Sequence, residues 1–129
     1  NRWVHRPRMD WDAVAAAEAD PASPSGQVLA GLRHLVAVRR STPHLHASVE
    51  SRVVPSPDRR LLVLRRDHPL GPLLQVHNFS EDEVWLPAHL VGDVLGPTAS
   101  ELLGGHRWNL ATDALPVRPY GSLWFVAAG

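Results

Sequence analysis

The sequence contains no cysteine and no lysine, no long apolar run and no excess of charge of either sign. Each absence removes a class of function. Without cysteine there is no disulfide framework, no thiolate metal site and no thiol nucleophile, a composition that fits a cytoplasmic protein. No stretch approaches the roughly 18 apolar residues of a membrane-spanning helix, and the N-terminus has no apolar signal core, so neither a membrane span nor export is expected. Thirteen basic residues against thirteen acidic ones give a formal net charge of zero, which favours neither nucleic acid nor an anionic membrane as partner. The basic residues are all arginine and are scattered, so they form no basic patch; together with 12 Pro they read as the coding bias of a GC-rich genome.

What is present is the material of one globular domain. The 129 residues are 44% hydrophobic and 20% charged, and a chain of this size can close a single core. Residues 1–9 read as a loop. Asp10-Trp11-Asp12 offers caps for a short helix over 13–19, rich in alanine, which Pro21 stops. Ser23 as N-cap and Pro24 in the first turn start a second helix that runs to about Arg40. Val28, Leu32, Leu35, Val36 and Val38 give it a buried face, and Thr42-Pro43 ends it. From there the apolar period changes to 2. Short candidate strands lie at 47–54, 61–66, 73–77, 83–86, 93–95, 101–103, 114–117 and 122–127, separated by turn clusters rich in Pro, Gly, Asn and Asp. The expected fold is α+β, mainly β: N-terminal loop and helices, then an antiparallel Greek-key β-sandwich, with a boundary near residue 45.

Candidate chemistry is sparse. Most acids fall in caps, turns and helix surfaces, and no pair is framed as the two carboxylates, roughly 5–10 Å apart, that glycoside hydrolysis needs. His44-Leu45-His46 would point both rings to one side of an extended segment, but no third ligand has usable spacing, so no metal is expected. No Gly-x-Ser-x-Gly elbow is present. Asn78-Phe79-Ser80 matches a glycosylation acceptor but reads as a turn, with Asn and Ser closing it and Phe79 dropping into the core. Trp124, in an apolar run, is expected in the core, while polar-flanked Trp85 suits a surface platform. No catalytic residue is identified. One segment is dense in recognition chemistry: Asn1-Arg2-Trp3-Val4-His5-Arg6-Pro7. An arginine fork can hold a carboxylate bidentately and stays charged when buried. Such a segment reads as the cut edge of a larger active site.

Asn1 to Pro7, followed by Met9-Asp10-Trp11, resembles a segment late in the catalytic barrel of amylosucrases, the sucrose-using glucosyltransferases of the α-amylase superfamily. Pro24-Ser25-Gly26-Gln27 and the run from Leu32 to Arg40 resemble the last helix of that (β/α)8 barrel. Val76 to Ser80, Glu101-Leu102-Leu103-Gly104-Gly105, and Leu115 through Pro119-Tyr120-Gly121 to Trp124 resemble the β-domain that ends these enzymes. The resemblance implies two parts: the end of the barrel over 1–45 and the C-terminal β-domain over 46–129.

It also implies an activity for the intact enzyme. Glucose is transferred from sucrose to an α-1,4-glucan by a retaining double displacement, with release of fructose and without an organic cofactor. The catalytic carboxylates of the family lie upstream, so the partners implied are the missing barrel, sucrose and α-glucan, and the segment alone is expected to be inactive. The arginine matching Arg2 pairs with an upstream aspartate and closes the donor pocket. The apolar face of the second helix should need a cover from outside the helix itself. Two other readings stand beside this one: a sucrose hydrolase of the same superfamily, and a non-catalytic carbohydrate-binding or structural β-module in which Trp85 and Trp108 stack on glucan.

Overall fold

The computed structural model describes residues 8–112 and 114–129. They fall into two compact units, one ending at Ala37 and the other running from Val38 to Gly129.

The first unit is a helical hairpin. Helix α1 spans Trp11–Ala19, and its N-cap Asp10 accepts a hydrogen bond from the Ala13 amide at 3.0 Å, satisfying one orphan donor of the first turn. Helix α2 spans Pro24–Ser41. The Ser23 hydroxyl accepts from the Gly26 amide at 3.1 Å and donates to the Asp20 carbonyl at 2.7 Å. Gly26 lies where the start of α2 meets the end of α1. A Cβ there would sit 2.1 Å from the Asp20 carbonyl oxygen and 2.8 Å from Pro21 Cα, so only glycine permits this approach. Arg33 of α2 forms an ion pair with Glu18 of α1.

The second unit begins with the end of α2. The Thr42 hydroxyl donates to the Val38 carbonyl at 2.7 Å, and a 3₁₀ turn follows at Pro43–Leu45. Eight strands are then described: β1 (Ser51–Val54), β2 (Leu61–His68), β3 (Gly71–Asn78), β4 (Val84–Pro87), β5 (Thr98–Glu101), β6 (His106–Asn109), β7 (Ala114–Val117) and β8 (Ser122–Ala127), with helix α3 (His89–Leu95) between β4 and β5. All pairings are antiparallel. One sheet has the order β1-β2-β3-β8-β5-β6, and β4 pairs with β7 in a second. The α+β, mainly β class expected from the sequence is the class observed.

The core lies between the sheets. Leu61 and Val63 of β2, Leu74 and Val76 of β3 and Phe125 of β8 face Val84 and Leu86 of β4 and Leu115 and Val117 of β7, with Val91 and Leu95 of α3 joining the cluster. Successive strand residues point to opposite faces, so the central strand β3 is buried on both. Its Leu73 packs on the far side with Leu45 and Trp124.

Several expectations change. Residues 93–95 are the end of a helix: Val91 and Leu95 lie one turn apart on the core, and Gly96, at φ 89°, stops the helix. The strand placed at 101–103 ends at Glu101 and begins at Thr98; residues 102–105 form a turn, and β6, unread in the sequence, follows it. The strand expected over 47–54 is confined to Ser51–Val54. Phe79, expected in the core, is 69% exposed, whereas Trp124 is buried as expected.

Candidate functional site

Arg2, the one residue given a site role from the sequence, lies outside the described residues, as do Trp3, His5 and Arg6. What is described of the first unit is an apolar hollow of about 530 Å³ between α1 and α2, lined by Met9, Val14, Ala17, Val28, Leu29 and Leu32. Val28, Leu32, Leu35 and Val36 are all exposed. The helical periodicity read from the sequence is real, but the stripe it marks is uncovered.

The histidine pair separates. The 3₁₀ turn over Pro43–Leu45 breaks the extended geometry that would aim both rings to one side. His44 is buried against His68, with ring centroids 4.9 Å apart, while His46 is exposed and pairs through Nδ1 with the Ser48 hydroxyl at 2.8 Å. Burial, then the neighbouring His68, hold the His44 pKa below its ordinary value, against a backbone hydrogen bond with Gly71. No group of three metal-ligating side chains occurs among the described residues. Asp58, gripped by the Arg60 guanidinium, titrates at about 2; it closes the turn before β2.

Two buried polar side chains organise the end of the β-domain: Glu101, which the sequence did not mark, and Asn78, which it read as closing a turn with Ser80. Glu101, 3% exposed at the end of β5, accepts from the Leu103 amide (2.9 Å) and the Trp124 amide (3.0 Å) through Oε1 and from the Gly104 amide (2.5 Å) through Oε2. Its carboxylate holds the 102–105 turn closed and ties it to β8. Gly104 fits against it only because it lacks a side chain: a Cβ would lie 2.9 Å from Oε2. Asn78, at the end of β3, donates to the carbonyls of Asp82 (2.7 Å), Arg118 (3.0 Å) and Val117 (3.1 Å), and its Oδ1 accepts from the Ser80 amide and hydroxyl. The Asn-x-Ser match is thus an internal tie, with the side-chain nitrogen committed to backbone oxygens. It fixes the β7–β8 turn, where Tyr120 adopts φ 51°.

Between these two turns opens a cleft of about 540 Å³. Trp108 of β6 lines it, set edge-on to Phe125 at 5.9 Å and 88°. Trp85 of β4 does not line the cleft and is 57% exposed. The sequence grouped Trp85 and Trp108 as possible platforms; the structure brings only Trp108 into a concave surface.

Comparison with known proteins agrees with this architecture. The family description "Amylosucrase, C-terminal domain" matches residues 51–126, that is, β1 through β8. Among solved structures, the chain is similar to the crystal structure of AmyP in complex with maltose, at 17% identity and a TM-score of 0.56, over 74% of this chain and 20% of that one. The likeness is one of fold, and this chain spans about a fifth of the length of the protein it resembles.

Proposed function

The chain belongs to the amylosucrase C-terminal domain family, and on that premise we propose that it is the C-terminal part of a sucrose-using glucosyltransferase of the α-amylase superfamily. In this reading, residues 1–45 end the catalytic barrel and residues 46–129 form the domain that follows it. The intact enzyme transfers glucose from sucrose to α-1,4-glucan and releases fructose. The nucleophile and the acid/base come from the barrel upstream. Arg2 supplies the fork that pairs with a barrel aspartate and closes the donor pocket. The β-domain is mainly structural.

The family match over residues 51–126 carries this reading. The uncovered apolar stripe on α2 supports it, because Val28, Leu32, Leu35 and Val36 are exposed and form the kind of face a last barrel helix would turn toward its neighbours. Exposed aliphatic surface of that kind gains roughly 25 cal/mol per Å² when covered, which is the physical reason for a barrel to take it.

Sucrose turnover by the intact enzyme tests the assignment. A buried ion pair that loses one partner leaves an uncompensated charge, at roughly 3–5 kcal/mol. Arg2→Ala should therefore nearly abolish turnover, and Arg2→Lys should fail as well, because a point charge does not replace the bidentate fork. Near-normal turnover in either variant removes Arg2 from the donor site. Insoluble glucan as product identifies the transferase; free glucose in its place identifies a hydrolase with the same donor pocket. The 129-residue chain alone should consume no sucrose.

A further inference from the structure

The cleft between the 102–105 turn and the β7–β8 turn has rigid walls. Each wall is held by its own buried polar side chain, Glu101 on one side and Asn78 on the other. Buried groups that satisfy this many backbone partners fix one conformation, and a surface fixed before binding loses little entropy when a ligand arrives.

The lining states what kind of ligand would fit. Trp108 offers an aromatic surface whose orientation is set by Phe125, and Leu123 and Val117 extend the apolar floor. Glu83, Arg118 and His106 are exposed at the rim and supply acceptors and donors. Glu101 contributes too: its three backbone bonds use three of the roughly four lone-pair directions of a carboxylate, leaving an acceptor on the Oε2 side. Two acids, Glu83 and Glu101, face the single guanidinium of Arg118, so the cleft has no positive field to concentrate an anion. A purely apolar ligand would strip the rim of water without replacing its hydrogen bonds. A neutral polyhydroxylated ring meets both conditions, laying its C–H face on the indole and its hydroxyls on the rim. The volume, about 540 Å³, falls within the range of small-ligand clefts, roughly 300–1,000 Å³.

We infer that this cleft is a binding site for a short stretch of neutral saccharide. The choice of an α-1,4-glucan as its ligand rests on the proposed function; the cleft's chemistry does not depend on it.

Isothermal titration of the 129-residue chain with maltoheptaose tests this. Saturable binding is expected. Glu83→Ala and Arg118→Ala, both exposed rim changes, should each weaken it about tenfold, the loss of one hydrogen bond to a charged group. Trp108→Phe, which keeps an aromatic ring against Phe125, should weaken it severalfold. Trp85→Ala should leave it unchanged. Thermal melts of the same variants establish that the rim changes leave the fold intact. Absence of saturation with maltoheptaose overturns the inference, as does binding that is lost in Trp85→Ala and kept in the rim variants. Either result is independent of sucrose turnover by the intact enzyme, so failure here and failure of the donor-pocket assignment are read from different experiments.

Discussion

Removing the Glu101 carboxylate should come close to unfolding the β-domain. The side chain is 3% exposed and is the hydrogen-bond acceptor for three backbone amides, those of Leu103, Gly104 and Trp124. Glu101→Ala removes both acceptor oxygens and with them all three hydrogen bonds. A buried donor left without a partner costs about 1–3 kcal/mol; three fully buried ones would sum to about 3–9 kcal/mol, but only the Trp124 amide is buried, those of Leu103 and Gly104 being part-buried. Water entering from the adjoining cleft can satisfy part of this, which places the expected loss at about 3–6 kcal/mol. A small domain holds only about 5–15 kcal/mol in total. Glu101→Gln separates charge from geometry. Its one carbonyl oxygen can still serve Leu103 and Trp124, but its amide nitrogen would meet the Gly104 amide, donor against donor, at the 2.5 Å position now taken by Oε2. That variant should lose about 1–3 kcal/mol. Urea unfolding followed by tryptophan fluorescence measures both, since Trp124 lies on the anchored strand. A Glu101→Ala unfolding free energy within about 1 kcal/mol of the parent would refute the anchoring role, and equal losses in the two variants would show that charge alone matters.

Two glycines of α2 should respond in opposite directions to the same change. Helix propensity favours alanine over glycine by about 1 kcal/mol, and a methyl added at Gly31 would meet nothing within 4 Å, so Gly31→Ala should stabilise the helical hairpin by about that amount. Gly26→Ala instead drives a methyl into the Asp20 and Ala17 carbonyl oxygens and Pro21 Cα, all backbone, and should cost about 1–3 kcal/mol or more. Limited proteolysis of the 20–24 connection reads both, and equal protection in the two variants would contradict the close approach. Stability should also fall in two steps with acidification. His44 and His77 have folded pKa values held below the ordinary 6.5, His44 by burial and His68, and His77 by burial. A depressed histidine is neutral in the fold and charges in the unfolded chain, so its contribution is complete above about 6.5 and is lost as pH falls through the folded value. Asp58, lowered from 3.8 to about 2 by Arg60, loses its contribution only below 3.8. A thermal midpoint unchanged between pH 7 and pH 5 would contradict the histidine part, and a His44→Gln variant should flatten that first step.

How much of this was legible in the sequence depended on whether the deciding interaction was local. Helices α1 and α2 could be read because their boundaries are set by residues within a turn of one another: Asp10 capping Ala13, Ser23 capping Gly26, and Thr42-Pro43 at the far end. Strand β4 could be read because Val84 and Leu86 alternate with exposed Trp85. Helix α3 could not. Its seven residues are too few for a periodic signal, and Val91 and Leu95 are helical because the core between the sheets receives one face of a turn. Residue 79 failed for a related reason: the turn is tied by Asn78, so Phe79 is free to point outward.

The site residues divide along the same line. Glu101 reads as an ordinary surface acid until the chain is folded, because one of its three donors, Trp124, is 23 positions away. The local trace it leaves is the Gly104-Gly105 pair shortly after it: a Cβ at Gly104 would press on the carboxylate, and Gly105 takes φ 71°. Arg2 is the opposite case. Its neighbours announce a recognition segment, yet in the proposed enzyme its partner is a barrel aspartate, so neither the local pattern nor the β-domain can fix what it grips. Of the polar residues that fold this segment, Asn78 is legible from its turn, whereas Glu101 is hidden in the sequence and plain in the structure. In the proposed enzyme, those that serve the chemistry are plain in the sequence and acquire a partner only with the barrel.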